Sequence, residues 1–337
     1  MPFPQPTTSF SPVENILCES VNAQAILHAA RLNIFDHLEE RPMDTDALAQ
    51  KTGLAAKPLE ALLDMLAGRG LLSKNDATYA NTPMTSEYLV NTSPLYQGKA
   101  MELNERFYAL VRDSMPEVLS GQSMERAETD KSWSTPETMD GTLQHALNGQ
   151  LQMAVDFIAE MPEFPSMRAM ADIGGNHGHY SMELLHRNPK LQSTLFDLEH
   201  VLEAAAKRCR ANGYGDRVTC LPLDIRTDSL PDKAFDMVFT SHVLYACTPE
   251  LDAVFKNIHA SLKPGGCVVS HHFTQEGGAS RLYRDTTEFI ARLAGYETHH
   301  LSRNRLESSL RKAGFNEFEQ TYTGCDKNTL LLVARRD

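Results

Sequence analysis

From Met167 to the C-terminus, short apolar runs alternate with helix-like stretches, and no other feature restricts the fold as much. "AMADIGG", "STLFDL", "RVTCLPLDI", "FDMVFTSHVL" and "GCVVSHHF" follow one another with amphipathic segments between them. Strands separated by helices are joined by crossovers, which build a mostly parallel sheet. "FNEFEQTYTG" and "NTLLLVARR" then read as a strand pair closing the edge of that sheet. The expected class is α/β.

Upstream the pattern changes. Val13 to Leu32 carries apolar residues at helical spacing. In "RPMDTDALAQKTGL" Asp44 can cap a helix over Ala47 and Leu48, and Gly53 ends it. "KPLEALLDMLAGRGLL" is a further amphipathic helix with a glycine stop, and "LLSKNDATYANTP" reads as a short hairpin. Three helices and a hairpin make a winged-helix pattern. The helix that would enter a DNA groove offers Glu60 and Asp64 among leucines, between Lys57 and Arg69. Acid facing a row of phosphates is repulsive, so a packing or dimer-forming module is expected instead of a DNA reader. Helical segments follow, irregular around "GQSMERAETDKSWSTPETMDG", with one long helix from Leu143 to Met161 closed by "PEFPS". The expected division is 1–100 for the winged-helix-like module, 101–165 for a helical linker, and 166–337 for the α/β domain.

Composition excludes several function classes. The chain has 337 residues, a net charge of −12 and no basic cluster, so no nucleic-acid partner is expected. No run reaches the roughly 20 apolar residues of a membrane helix, and the N-terminus lacks a signal-peptide pattern. The 6 cysteines are scattered without a C-x-x-C pair, which suits reduced thiols in a cytoplasmic protein. "HGH" and two "HH" pairs have no close metal-ligand spacing, so no metal is expected.

The stretch "MADIGGNHGHYSMELL" is a strand, a glycine turn and a helix. Its glycines allow backbone amides to approach a ligand at a helix N-terminus. The spacing of Gly174, Gly175 and Gly178 departs from the dinucleotide pattern G-x-G-x-x-G, and Asp172 before the turn would oppose a diphosphate. A nucleoside with a positive centre fits better, and S-adenosylmethionine is such a ligand. Asp197 ends the next strand, where a carboxylate can accept ribose hydroxyls. Asp224 ends the third, placed to meet an adenine amine with Ile225 beside it.

At these residues the chain resembles the class I S-adenosylmethionine-dependent methyltransferases of the plant and bacterial small-molecule O-methyltransferase type, which includes caffeate, hydroxyindole and polyketide enzymes. The resemblance rests on "ADIGGNHGHYSMELLHRNPKLQSTLFDL", "RVTCLPLDI", "FDMVFTSHVLY", "LKPGG" and "RKAGF". It implies a Rossmann-like methyltransferase domain behind an all-helical, winged-helix dimerisation domain, and a homodimer. It further implies that Asp172, Gly174, Gly175 and Gly178 form the methionine-side loop. Asp197 and Leu198 would hold the ribose side, Asp224 and Ile225 the adenine, with Ser241 also at the cofactor. S-adenosylhomocysteine would be the product.

Departures from the family pattern bear on the chemistry. Asn176 stands at the third glycine of the usual D-x-G-G-G-x-G, and asparagine tolerates positive φ. The family's L-H-x-W supplies a histidine base, but this chain reads "HVLYACTPE", so Tyr245 takes that position, as in bacteriochlorophyllide carbon methyltransferases. The acid that orients the base normally ends the next strand, where His272 stands, or His271 if the count slips by one. A free tyrosine titrates near 10 and a histidine near 6.5. One reading therefore gives the base role to His242 or His272 and leaves Tyr245 to orient the acceptor. The other is carbon or sulfur methylation, which needs less deprotonation. A protein that binds the cofactor but has lost methyl transfer remains a third class. His177 and His179 are expected to edge the loop without chemistry, and His299 and His300 to be solvated. By analogy with the family, the acceptor pocket would draw on His145, Leu147, Met153 and Phe157, with Phe107 and Tyr108 entering from the preceding helix.

Overall fold

A computed structural model of the chain describes residues 3–122, 130–324 and 326–337. Cys325 and residues 123–129 of the irregular stretch lie outside the described residues. The chain divides into two compact units, Met1–Glu102 and Leu103–Asp337.

In the first unit, α1 (Ser11–Arg31), α2 (Ile34–Glu40), α3 (Thr45–Thr52) and α4 (Ala56–Gly68) precede a hairpin of β2 (Leu72–Asn75) and β3 (Thr78–Asn81). The short β1 (Met43–Asp44) adds to the hairpin in the order β1-β3-β2, and α5 (Pro83–Tyr88) follows. Asp44 accepts the Ala47 N–H at 2.8 Å and so caps α3, which Gly53 stops at φ 74°. Ile34, Phe35, Leu48, Leu63 and Leu66 are fully buried together. Each such side chain contributes roughly 1.5–3 kcal/mol on leaving water. Asp64, one of the acids of the last long helix, takes hydrogen bonds from Lys74 and from Tyr79 Oη, the latter at 2.6 Å. That carboxylate staples α4 to the hairpin.

The second unit takes in most of α6 (Gly98–Leu119), then α7 (Pro136–Ala146) and α8 (Gln150–Ala159). The single helix expected over Leu143 to Met161 is therefore two. Gly149 at φ 85° sits between them in the left-handed region, where a helix ends. The break re-aims the chain so that Gln150 starts α8 with its side chain buried.

The sheet of this unit runs β6-β5-β4-β7-β8-β10-β9. Its strands are β4 (Ala169–Ile173), β5 (Gln192–Asp197), β6 (Val218–Pro222), β7 (Phe235–Ser241), β8 (Leu262–Phe273), β9 (Glu317–Thr323) and β10 (Thr329–Arg335). The first five in sequence pair in parallel, and β10 runs antiparallel to both β8 and β9. The apolar runs are continuous because both faces are covered. Met237, Phe239 and Val269 face α8, α9 (His179–Arg187) and α10 (Glu199–Ala211). Val238 and Val268 face α11 (Leu251–Ser261) and α13 (Arg303–Ala313), while α12 (Arg281–Leu293) lies on the connection before α13. Strand order reverses at β4, so the carboxyl ends of β4 and β7 flank the crevice where ligands of such sheets bind.

Candidate active site

The turn after β4 is built by two constraints. Gly174 and Gly178 have φ of 70° and 73°, which side chains adopt only with strain. A Cβ on Gly174 would stand 2.7 Å from Val243, and one on Gly178 would stand 2.8 Å from Cys209 Sγ. Gly175 is equally confined, by Leu195 at 2.6 Å. Asn176 takes φ 40° in place of a glycine, with its side chain bonded to Trp133 O and to Thr142 Oγ1.

Two carboxylates brace this loop. Asp172 is buried and accepts from Ser181 Oγ at 2.7 Å, in the first turn of α9. Burial pushes its carboxyl up to about 7. Asp197, at the end of β5, accepts the Asn176 N–H at 2.9 Å and the Leu198 N–H at 2.8 Å. Burial raises it to about 6 against those two amides. Asp224 lies beyond the end of β6, which stops at Pro222. Arg226 grips both its oxygens at 2.7 and 2.8 Å and holds the carboxyl below its usual range. Asp224 is thus one half of an ion pair, next to the buried Ile225.

Beside the loop, the ends of β7 and β8 gather a ring cluster. Ser241 Oγ pairs with His271 Nδ1 at 3.0 Å, and Thr323 Oγ1 with His271 Nε2 at 2.7 Å, so this imidazole is fully partnered. His272, on the opposite face of β8, is 1% exposed, and neither ring nitrogen has a hydrogen-bond partner among the described residues. His242 has its ring 4.4 Å from Phe273, 5.2 Å from His271 and 6.3 Å from His272. Phe273 stacks on His299 at 5.0 Å and meets His145 edge-on at 6.0 Å. Tyr245 lies edge-on to Tyr296 at 4.9 Å and 5.5 Å from His299.

Burial decides the protonation of these groups. His242 and His272 are held well below the usual histidine range, and His271 and His299 are lowered to about 3. All are neutral imidazoles near pH 7. Burial and the Tyr296 phenol raise Tyr245 well above 10, so its phenol stays protonated and can donate a hydrogen bond.

Residues 15–91 match the family model described as the O-methyltransferase dimerisation domain, and residues 171–268 match that of a methyltransferase domain. The chain therefore carries a methyltransferase domain behind an O-methyltransferase dimerisation domain. Among relatives, this methyltransferase is 26% identical over 224 residues to a 3-hydroxy-5-methyl-1-naphthoate 3-O-methyltransferase of Streptomyces sahachiroi, covering 66% of this chain and 65% of that one. It is 25% identical to the bacteriochlorophyllide d C-20 methyltransferase of Chlorobaculum tepidum, over 71% of each chain. Human N-acetylserotonin methyltransferase, solved in complex with SAM, shares the fold at a TM-score of 0.73 and 19% identity, covering 99% of both chains.

The methyltransferase brings Asp172, Gly174, Gly175, Gly178, Asp197 and Leu198 together at one turn. Val243 joins this turn to the ring cluster, because it packs on Gly174 and is the chain neighbour of His242. Of the expected acceptor-pocket residues, only His145 is placed in the ring cluster. Leu147 is half-buried at the break before α8, and Phe157 packs against the core. Met153, Phe107 and Tyr108 are 40, 38 and 50% exposed, because they occupy the outward faces of α8 and α6. His299 and His300, expected to be solvated, are instead in the cluster, and His300 is 5% exposed. The buried Tyr296 and Leu301 on either side of "ETHH" pull that loop inward, and this bracket was the signal to read. His177 is buried too, its Nδ1 accepting the His179 N–H at 3.2 Å, so it holds the loop. Gln150, Phe273, Tyr296 and Thr323 were missed, since each comes from a segment distant in sequence from the residues it touches.

Proposed function

We propose that the protein transfers the methyl group of S-adenosylmethionine to a hydroxyl oxygen of a small-molecule acceptor, releasing S-adenosylhomocysteine. The observation that carries this reading is the contact of the glycine turn with the ring cluster through Val243 and His242. The turn residues Asp172, Gly174, Gly175 and Gly178 take the methionine end of the donor. Asp197 and Leu198 take the ribose, Ser241 borders the site, and Ile225 with the Arg226-clamped Asp224 borders the adenine. Methyl transfer is an in-line displacement in which the enzyme aligns the nucleophile and removes its proton. His242 takes that proton as a neutral imidazole. Tyr245, in the position where the family carries its histidine, stays protonated and hydrogen-bonds the acceptor. His272 offers its two ring nitrogens to polar atoms of the acceptor, and His145, from the linker 101–165, bounds the pocket.

The protein acts as a homodimer through a winged-helix-like module over residues 1–100, which agrees with the dimerisation-domain match. Ile16, Leu17 and Val21 on α1 are 69, 60 and 68% exposed, an apolar stripe that a second copy would cover. No described helix is long and apolar enough to cross a membrane, and none of the described cysteines forms a disulfide; a cytoplasmic, reducing location suits both.

Carbon methylation is the second reading. It is favoured by the tyrosine at the base position and by a relative named for methylating carbon. The test is to incubate the protein with methyl-labelled S-adenosylmethionine and a panel of hydroxynaphthoates, and to locate the label by mass spectrometry and NMR. Label on oxygen, a loss of about 100-fold or more for His242→Ala, and only a small loss for Tyr245→Phe are expected. Label on carbon, or full turnover by His242→Ala, contradicts the primary reading.

A further inference from the structure

His242 leaves β7 with φ of 50°, a left-handed backbone that a non-glycine residue holds only under constraint. Its N–H donates to His271 O at 2.8 Å, which fixes the main chain. Its ring is fixed separately: Nε2 lies 3.2 Å from Gln150 Oε1. Gln150 is 4% exposed at the start of α8, and it is itself backed by the β9–β10 turn. Gly324 in that turn has φ of 81°, and a Cβ there would stand 3.4 Å from Gln150 Cγ. A buried amide, wedged from behind, thus presents its oxygen to one nitrogen of one imidazole.

An amide oxygen only accepts, so Nε2 of His242 must carry the hydrogen and donate it. A neutral imidazole has one N–H, which leaves the lone pair on Nδ1. We propose that Gln150 is a positioning residue that locks His242 in the Nε2–H tautomer, making Nδ1 the atom that takes the acceptor's proton. This rests on the reading of His242 as the base. In the step, the acceptor O–H proton passes to Nδ1 while the oxygen's electron pair forms the new bond to the methyl carbon. The carbon–sulfur bond breaks with its electron pair remaining on sulfur. The sulfonium charge is thereby replaced by the charge of the imidazolium, which later returns its proton to solvent. Because Gln150 is neutral, it orients the ring without stabilising the imidazolium as a carboxylate would.

The test uses the full-length protein labelled with 15N in its histidine rings, where long-range proton–nitrogen correlations distinguish the two tautomers. The His242 signals are assigned by their loss in His242→Asn. The native protein is expected to show His242 as Nε2–H. Gln150→Leu should yield a mixture or the Nδ1–H form. Gln150→Glu should keep Nε2–H and raise the pH at which His242 protonates by about one unit or more. A native Nδ1–H tautomer, or an unchanged tautomer in a folded Gln150→Leu protein, overturns the inference. An unmoved titration in Gln150→Glu overturns it as well, even where the leucine variant does not fold. Full methyl transfer by His242→Ala would remove the base role while leaving the tautomer result standing, so the two failures are distinguishable.

Discussion

At the scale of single residues, His272 carries the sharpest consequence. An imidazole with both nitrogens buried and unpartnered is a polar group left without compensation, which costs about 1–3 kcal/mol. His271, one residue away, meets Ser241 and Thr323 and carries no such cost. Unsatisfied groups of this kind are expected chiefly at functional or strained sites. His272→Leu is therefore expected to stabilise the free protein by about 1 kcal/mol while weakening methyl transfer. Chemical denaturation together with turnover checks both halves. A loss of stability in His272→Leu would mean that the imidazole has a partner in solution and is a structural group.

At the scale of elements, the strands and three of the N-terminal helices were legible, while α2 and the acceptor side were not. Continuous apolar runs such as "MVF" in β7 announce a strand covered on both faces, and Asp44 with Gly53 marks both ends of α3. The glycine turn was legible because its spacing and its acids are local. The helix over Leu143 to Met161 was not read correctly: apolar periodicity continues across "LNG" although Gly149 turns left-handed and stops the helix. That break decides the direction of Gln150, whose partner His242 is 92 residues away. No spacing rule connects such a pair, because it exists only once α8 is laid against β7. The loop with His299 and His300 misled for a related reason. It has no periodicity, and its burial comes from Phe273 and Tyr245, contributed by other elements.

At the scale of the whole molecule, the buried ionisable groups set how stability depends on pH. His177, His271 and His299 titrate near 3 in the folded chain, and His242 and His272 well below the usual range. Each gains a proton on unfolding below about pH 6.5, so each costs stability as the pH falls. Asp172 and Asp197 are raised, to about 7 and about 6, and work in the opposite direction between pH 4 and those values. The histidines outnumber them. His145, His179, His259 and His300 are lowered as well, so unfolding at pH 5 should take up at least about three protons, and the denaturation midpoint should fall from pH 7 to pH 5. Net proton release at pH 5 would contradict the buried, neutral state of the cluster. Calorimetric titration of the protein with S-adenosylmethionine, repeated with Asp197→Ala, tests most directly that the turn after β4 holds that compound. Saturable binding, one molecule per chain, weakened by the substitution, is the expected result. No heat of binding from the native protein, or equal affinity in Asp197→Ala, would contradict it.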